Sequence, residues 1–261
     1  MTSSETSASA AIHSNNRRHA AATASLSAYI RAFAIIDAAG LTDMRTGAVT
    51  AIGAKYLARQ NSRVLGHIGA RGTAYWNVRL LDHLFDFAEI RVHSRRPESR
   101  DTFASRLSQD LQKPVSAVAD WRSCVVGADI VVEASRLDQP TALLKTEWIK
   151  RGAFVVPYGT MSAVEISLTD IMDKLVVDDW GQCKAGPFGA LRAHVEAGKL
   201  SQKTLYAELG EIVAGRKRGR ASEGEIIVFD STGVGFQDAA AAATVYERAL
   251  EVGRGITLRF S

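Results

Sequence analysis

Val64-Leu65-Gly66-His67-Ile68-Gly69-Ala70-Arg71-Gly72-Thr73-Ala74 is followed after a short helical stretch by Ile90-Arg91-Val92-His93-Ser94-Arg95-Arg96-Pro97. The first segment has the apolar run, glycine turn and helix-forming continuation of a nucleotide-binding strand–turn–helix; the second is a strand ending in one hydroxyl and two guanidinium groups. Gly69 suits the tight turn, and Ala74 suits close packing of helix on strand. Between them, where a missing side chain lets backbone approach a pyrophosphate, stands Arg71, which either pairs with phosphate or blocks it. Gly72, one residue on, restores backbone freedom. An acid at the end of the second strand would bind both ribose hydroxyls and repel a 2′-phosphate, whereas Ser94, Arg95 and Arg96 offer a donor and two cations. The expected cofactor is therefore NADP, with NAD as the alternative; a solvated turn before Pro97 is the competing reading of the two arginines.

Outward from this core the pattern alternates between strand and helix, predicting an α/β protein with a Rossmann-type doubly wound parallel sheet. Upstream, residues 32–37 read as a short buried strand before a turn at Gly40. A helix over 44–58 carries small residues at Gly47, Ala51 and Ala54 for close packing. Arg45 and Thr46 fall at its expected N-terminus, where an anion is favoured, although an arginine there also serves as a plain surface residue. Downstream come a helix over 75–85, a strand over 89–93, and a helix opened by Pro97 with Phe103, Leu107 and Leu111 on one face. Strands over 115–118 and 128–134, a short helix over 145–149, and strands over 153–156 and 175–177 follow. Ligands in such sheets bind beyond the carboxyl ends of strands, which makes Ser135, Gly159, Asp178 and Asp179 eligible. Helices are predicted over 188–197 and 205–214, the latter stopped by Gly215. A strand from 225 then ends in Asp230-Ser231-Thr232-Gly233 and feeds a helix over 239–252; that turn either approaches a cofactor or merely connects.

With 46% hydrophobic residues in 261, the chain can build a sizeable core. No apolar run reaches the ~20 residues that span a bilayer, so no membrane association and a cytoplasmic location are expected. A net charge of +4 favours anionic ligands without requiring nucleic acid. The basic cluster Arg216-Lys217-Arg218-Gly219-Arg220 lacks interleaved aromatic residues and reads as a solvated loop before a DNA contact. Cys124 and Cys183 have no metal-ligand spacing, so no structural metal is expected. Residues 1–33 are rich in Ser and Ala and nearly free of acids, superficially like a transit peptide; a disordered leader or the remnant of a domain is the expectation.

Met44-Arg45-Thr46-Gly47-Ala48, residues 65–74, residues 128–134, Glu208-Leu209-Gly210-Glu211 and Val228-Phe229-Asp230-Ser231-Thr232-Gly233, in that order, resemble the ornithine cyclodeaminase/mu-crystallin family. The resemblance covers roughly residues 34–261. It implies a Rossmann domain (59–224) beside a reduced substrate and dimerisation lobe, of which 34–58 is a remnant and linking helix and 225–261 the return segment. A homodimer is implied as well. The resemblance makes Arg45 a ligand for a substrate carboxylate, with Thr46 nearby at the cofactor. Gly69, Arg71, Gly72 and Thr73 would line the pyrophosphate, Ser94, Arg95 and Arg96 the adenosine ribose, and Ser135, Ser231 and Gly233 the rest of the cofactor site. The implied reaction is hydride transfer between nicotinamide and the α-carbon of a small amino or imino acid, as imine reductase or amino-acid dehydrogenase. Cyclodeamination of ornithine to proline and ammonia is one alternative, and a catalytically impaired binding protein another. Three departures bear on this: Arg71 replaces a glycine, Gly159 stands where a cyclodeaminase aspartate is expected, and the family's amino-terminal lobe with its substrate-binding lysine is largely missing. Glu165, Asp178 and Asp179 remain as acids able to substitute.

Overall fold

The computed structural model describes residues 21–22, 34–160, 163–185 and 189–257. In chain order these residues form β1 (Ala21–Ala22), β2 (Ile36–Asp37), α1 (Ala38–Leu57), β3 (Val64–Ile68), α2 (Thr73–Phe85), β4 (Glu89–His93), α3 (Pro97–Leu111), β5 (Ser116–Ala117), α4 (Trp121–Val125) and β6 (Ile130–Glu133). A 3-10 turn at Thr146–Trp148 leads to β7 (Phe154–Pro157), α5 (Leu168–Ile171), β8 (Lys174–Val177), α6 (Trp180–Ala185), α7 (Arg192–Glu196), β9 (Leu205–Glu208), α8 (Leu209–Val213), β10 (Ile227–Asp230) and α9 (Gly235–Glu251). Two compact units result: residues 1–42 with 236–261, and residues 43–235.

The larger unit holds a wholly parallel eight-stranded sheet in the order β5-β4-β3-β6-β7-β10-β8-β9. Its central strands β6, β7 and β10 are short, rich in β-branched residues and buried on both faces, as parallel strands covered by helices must be, whereas the edge strand β5 is exposed. Ile130, Val132, Phe154 and Phe229 point into one apolar layer with Leu57, Leu81, Phe85 and Leu107. Val131, Val155 and Val228 point into the other with Val125, Leu144, Leu168 and Trp180. On α2 the buried positions Ala74, Asn77, Val78, Leu81 and Phe85 recur every three or four residues, the stripe that seats a helix on a sheet. The small face of α1 packs as its sequence predicts: a Cβ on Gly47 would lie 2.7 Å from Cβ of Trp76 on α2. In the smaller unit β1 and β2 pair antiparallel, and α9 contains no buried residue. No helix among the described residues is long and apolar enough to cross a membrane.

Several expectations are corrected. The strand read over 32–37 is only Ile36–Asp37 with Ile35 exposed, and Gly40 lies inside α1 instead of a turn; Ala32 and Phe33 lie outside the described residues. Since α1 begins at Ala38, Arg45 and Thr46 sit two turns into the helix, away from the free N–H groups of its first turn. The helix read over 205–214 is strand β9 followed by α8, because Ala207 and Glu208 pair with Val176 and Val177 at the sheet edge and lateral bonding overrides local helical preference. Gly215, at φ +71°, does end α8. The helix of 188–197 is seen as Arg192–Glu196, with Phe188 outside the described residues, and α9 starts at Gly235, ahead of Ala239. The leader reading falls almost wholly outside the described residues.

Candidate functional site

Successive strands run from β3 outward to β4 and β5 on one side, and from β6 to β7 on the other. The crevice between the loops leaving β3 and β6 is where an open α/β sheet takes its ligand.

Gly69 opens the turn after β3 with φ +108°, and a Cβ there would lie 2.7 Å from the carbonyl oxygen of Ala134 beyond β6. The two lips approach too closely for any other residue. Gly72, at φ +27°, is the N-cap of α2, and no side chain caps that end. An uncapped helix N-terminus offers N–H groups and a favourable dipole to an anion. Arg71 is exposed beside it. Asp43 of α1 reaches the same place, its Oδ1 2.6 Å from where a Cβ on Gly72 would stand. Burial raises the Asp43 pKa, against the opposing pull of the Arg136 charge.

Tyr158, after β7, straps across to the first turns of α2. Its hydroxyl lies 3.1 Å from Thr73 Oγ1 and accepts from Asn77 Nδ2. Asn77 also reaches His67 Nε2 at 3.2 Å, and His67 Nδ1 donates to the Gly69 carbonyl at 3.1 Å. That bond to a carbonyl places the proton on Nδ1 and leaves Nε2 to accept. Burial, partly offset by the bond to Gly69, lowers the His67 pKa to about 4, so the ring stays neutral. The β3 turn, α2 and the β7 loop are thus one hydrogen-bonded assembly.

On the other side, Ser94 is half-buried while Arg95 and Arg96 are exposed at the carboxyl end of β4. A cavity of about 410 Å³ is lined by Ala70 of the β3 turn and by Glu98, Ser99, Thr102, Phe103 and Arg106 of α3, the helix that follows Arg96. Arg45 reaches the β10 turn, its Nη1 3.0 Å from the Cβ position of Gly233, which has φ +84°. Thr46 lies one residue on along α1, and Ser231 is buried in the β10 turn.

Of the acids considered for proton transfer, Asp178 accepts from the N–H groups of Asp179, Thr232 and Gly233 and from Thr232 Oγ1, at 2.6–3.1 Å. It clasps the β10 turn. Asp179 caps α6 through the Gln182 N–H. Glu165 accepts from the Thr146 N–H at 2.9 Å, which, more than its bonds to the Thr146 and Lys145 side chains, lowers its pKa; it is tied to the 3-10 turn. Ser135 is half-buried at the exit of β6, and its Oγ is buried without a hydrogen-bond partner.

Gly159 does not leave a void where a carboxylate was expected. Glu133, the last residue of β6, fills it from the opposite side: a Cβ on Gly159 would stand 2.5 Å from Oε1 and closer still to Oε2. Glu133 is fully buried; Oε1 accepts from the Ser135 N–H at 2.7 Å, and Oε2 has no partner. Burial pushes its pKa up to about 7. Sequence reasoning passed over Glu133, Tyr158, Asn77, His67 and Asp43. Glu133 and His67 did carry a signal, as polar residues inside otherwise apolar strands.

A parallel sheet with a glycine turn and an uncapped helix at its crossover crevice defines a Rossmann-type α/β protein. The chain belongs to the ornithine cyclodeaminase/mu-crystallin family, whose model matches residues 25–253. An alanine dehydrogenase of Archaeoglobus fulgidus is 35% identical over 230 residues, covering 87% of this chain and 69% of that protein. Among solved structures, Thermococcus litoralis Delta(1)-pyrroline-2-carboxylate reductase in complex with NADH and L-proline matches with TM-score 0.80 and 29% identity, covering 87% of this chain and 70% of that one. An archaeal alanine dehydrogenase dimer with bound NAD matches with TM-score 0.81 and 33% identity, covering 88% and 71%.

Proposed function

We propose that this chain is a nicotinamide-dependent oxidoreductase acting at the α-carbon of a small amino or imino acid, as an imine reductase or amino-acid dehydrogenase, with NADP as its preferred cofactor. The observation that carries the reading is the uncapped N-terminus of α2 at the crossover crevice, entered through Gly69 and Gly72 and flanked by Arg95 and Arg96. The residues present fit a dinucleotide: glycines where backbone must come close, exposed cations beside an open cavity, and an orphaned hydroxyl on Ser135. The relatives' activities, alanine dehydrogenation and pyrroline-2-carboxylate reduction, support the substrate class.

When bound, the cofactor supplies hydride chemistry. The chain's part is to bind and orient. The 69–73 turn and the first N–H groups of α2 hold the pyrophosphate, with Arg71 as a flanking cation. Ser94, Arg95 and Arg96 receive the 2′-phosphate. Ser135, Thr46, Ser231 and Gly233 line the opposite half, and Arg45, beside Gly233, pairs with the substrate carboxylate. Glu165 and Asp178 are committed to backbone donors, so imine reduction or dehydrogenation fits better than cyclodeamination, which also needs a base for the ring-closing step. NADH and NAD in the two structural relatives leave the 2′-phosphate preference resting on this chain's own Ser-Arg-Arg. A homodimer would cover the exposed Phe236, Val245 and Leu250 of α9; light scattering at the monomer mass would remove that assignment. A reducing cytoplasm suits the two buried free thiols.

Nicotinamide fluorescence titrations with NADPH and NADH test the reading. NADPH should bind more tightly, and Arg95→Ala should weaken it about tenfold while sparing NADH. Equal affinities would remove the phosphate preference, and absence of binding to either would overturn the proposal. Oxidation of bound NADPH by Δ1-pyrroline-2-carboxylate, or by pyruvate with ammonia, then identifies the substrate class.

A further inference from the structure

Glu133 closes the central strand β6, opposite Ile68 of β3 and Pro157 of β7, on the side of the crossover crevice away from Ser94. If the adenosine half lies over β4, the nicotinamide half lies over β6 and β7. Burying a carboxyl group there is costly, and the fold makes room for it by placing glycine at 159. The 159 and 160 loop is then fastened over it: the N–H groups of Tyr158 and Gly159 donate to the Glu133 carbonyl at 3.0 and 2.9 Å, and that of Thr160 donates to the Ser135 carbonyl at 3.0 Å. Despite this enclosure, Oε2 and the neighbouring Ser135 Oγ make no well-formed hydrogen bond, the nearby Ser135 and Gly159 donors only tempering the rise in pKa that burial causes, and no ion pair to Glu133 occurs among the described residues. A buried acid without a cation, at the edge where a cationic ring would dock, has the chemistry of a counter-charge.

We propose that Glu133 is the specificity-determining residue for the redox state of the cofactor, its carboxylate favouring the cationic oxidised nicotinamide ring over the neutral reduced ring. The inference rests on the dinucleotide reading above and adds a residue to it. A site that holds the oxidised ring more tightly shifts the bound equilibrium toward reduced substrate, the direction of imine reduction.

The burial that lifts the Glu133 pKa to about 7 gives the idea a readout. Asp230 of β10, across β7 from β6, is also raised to about 7, and the Glu133→Gln variant separates the two. His67 on β3 is neutral with a pKa near 4, Tyr158 after β7 and Cys124 on α4 are raised to about 12, and Arg136 beyond β6 lies near Asp43, whose pKa its charge lowers against burial. Ionised Glu133 binds the oxidised ring better, so the preference for it must grow as pH rises through 7.

Calorimetric titration of the intact chain with NADP⁺ and NADPH at pH 6 and pH 8 gives the ratio of their affinities, in which the 2′-phosphate cancels. In the native sequence the ratio should move about tenfold toward NADP⁺ between the two pH values. Glu133→Gln should flatten it while leaving 2′,5′-ADP binding unchanged. The NAD⁺ and NADH pair should behave alike, so the result does not depend on which dinucleotide is preferred. A native ratio that is the same at both pH values overturns the proposal whether or not the variant folds, as does a Glu133→Gln protein that keeps the pH dependence. Tight 2′,5′-ADP and dinucleotide binding with a flat ratio would sink this inference alone, whereas no binding by the native chain would sink the dinucleotide reading and this inference with it.

Discussion

Replacing Gly159 with alanine tests the reciprocal fit of residues 133 and 159 directly. The added methyl carbon would stand 2.5 Å from Glu133 Oε1 and closer to Oε2, inside the 3.0 Å limit of real contacts. The carboxyl group must therefore retreat by about 0.5 Å or more, or the loop must lift and stretch the bonds from Tyr158 and Gly159 to the Glu133 carbonyl. Overpacking of this kind costs about 1–3 kcal/mol. At about 2–4 °C per kcal/mol for a domain of this size, the melting temperature should fall by roughly 2–12 °C. In a Glu133→Ala background the obstruction is gone, and the same change should be neutral or stabilising by about 0.4–1 kcal/mol through the unfolded chain. Urea unfolding of the four proteins, followed by circular dichroism, gives the coupling energy. Single costs that add to within about 0.5 kcal/mol would refute the reasoning, because independent sites behave that way.

Three further outcomes follow from the packing. Asp230 is fully buried, and burial, with the nearby Asp178 charge, raises its pKa to about 7, although Cys183 Sγ donates to it. Its protonated form is favoured in the folded state, so the stability it contributes is present below pH 4 and is lost as pH rises through 7. Asp230→Asn should therefore stabilise the protein more at pH 8 than at pH 5; an equal effect at both would contradict the shift. Tyr158→Phe removes the bonds to Thr73 and Asn77 and should cost about 1–2 kcal/mol in urea unfolding, with an unchanged midpoint counting against the strap. Gly47→Ala should cost about 1–3 kcal/mol by prising α1 from Trp76, and a thermal scan that matches the native protein would show that the contact yields freely.

Most of the sheet was legible in the sequence because parallel strands covered on both faces are continuous apolar runs, as in Ile130-Val131-Val132, and because Gly69, Pro97 and Gly215 mark their turns. The failures came where tertiary partners override local signals. Leu205-Tyr206-Ala207-Glu208 has helical company in sequence and becomes a strand only because β8 lies alongside. Gly40 reads as a turn and is carried within α1. In the site, the single-residue candidates were placed by motif, but the contacts that give them surroundings link residues distant in sequence: Thr73 with Tyr158, Arg45 with Gly233, Glu133 with Gly159. A glycine at 159 suggested a lost acid. Only its spatial neighbour shows a carboxyl group supplied from another strand.

The placement of β10 between β7 and β8 governs how this chain can be made. During synthesis both flanking strands emerge long before their shared neighbour, leaving a strand-wide slot with two raw hydrogen-bonding edges that only residues 227–230 close. The nascent chain is thus open to wrong pairing until residues 227–230 have left the ribosome, and a chain cut just ahead of that segment should aggregate.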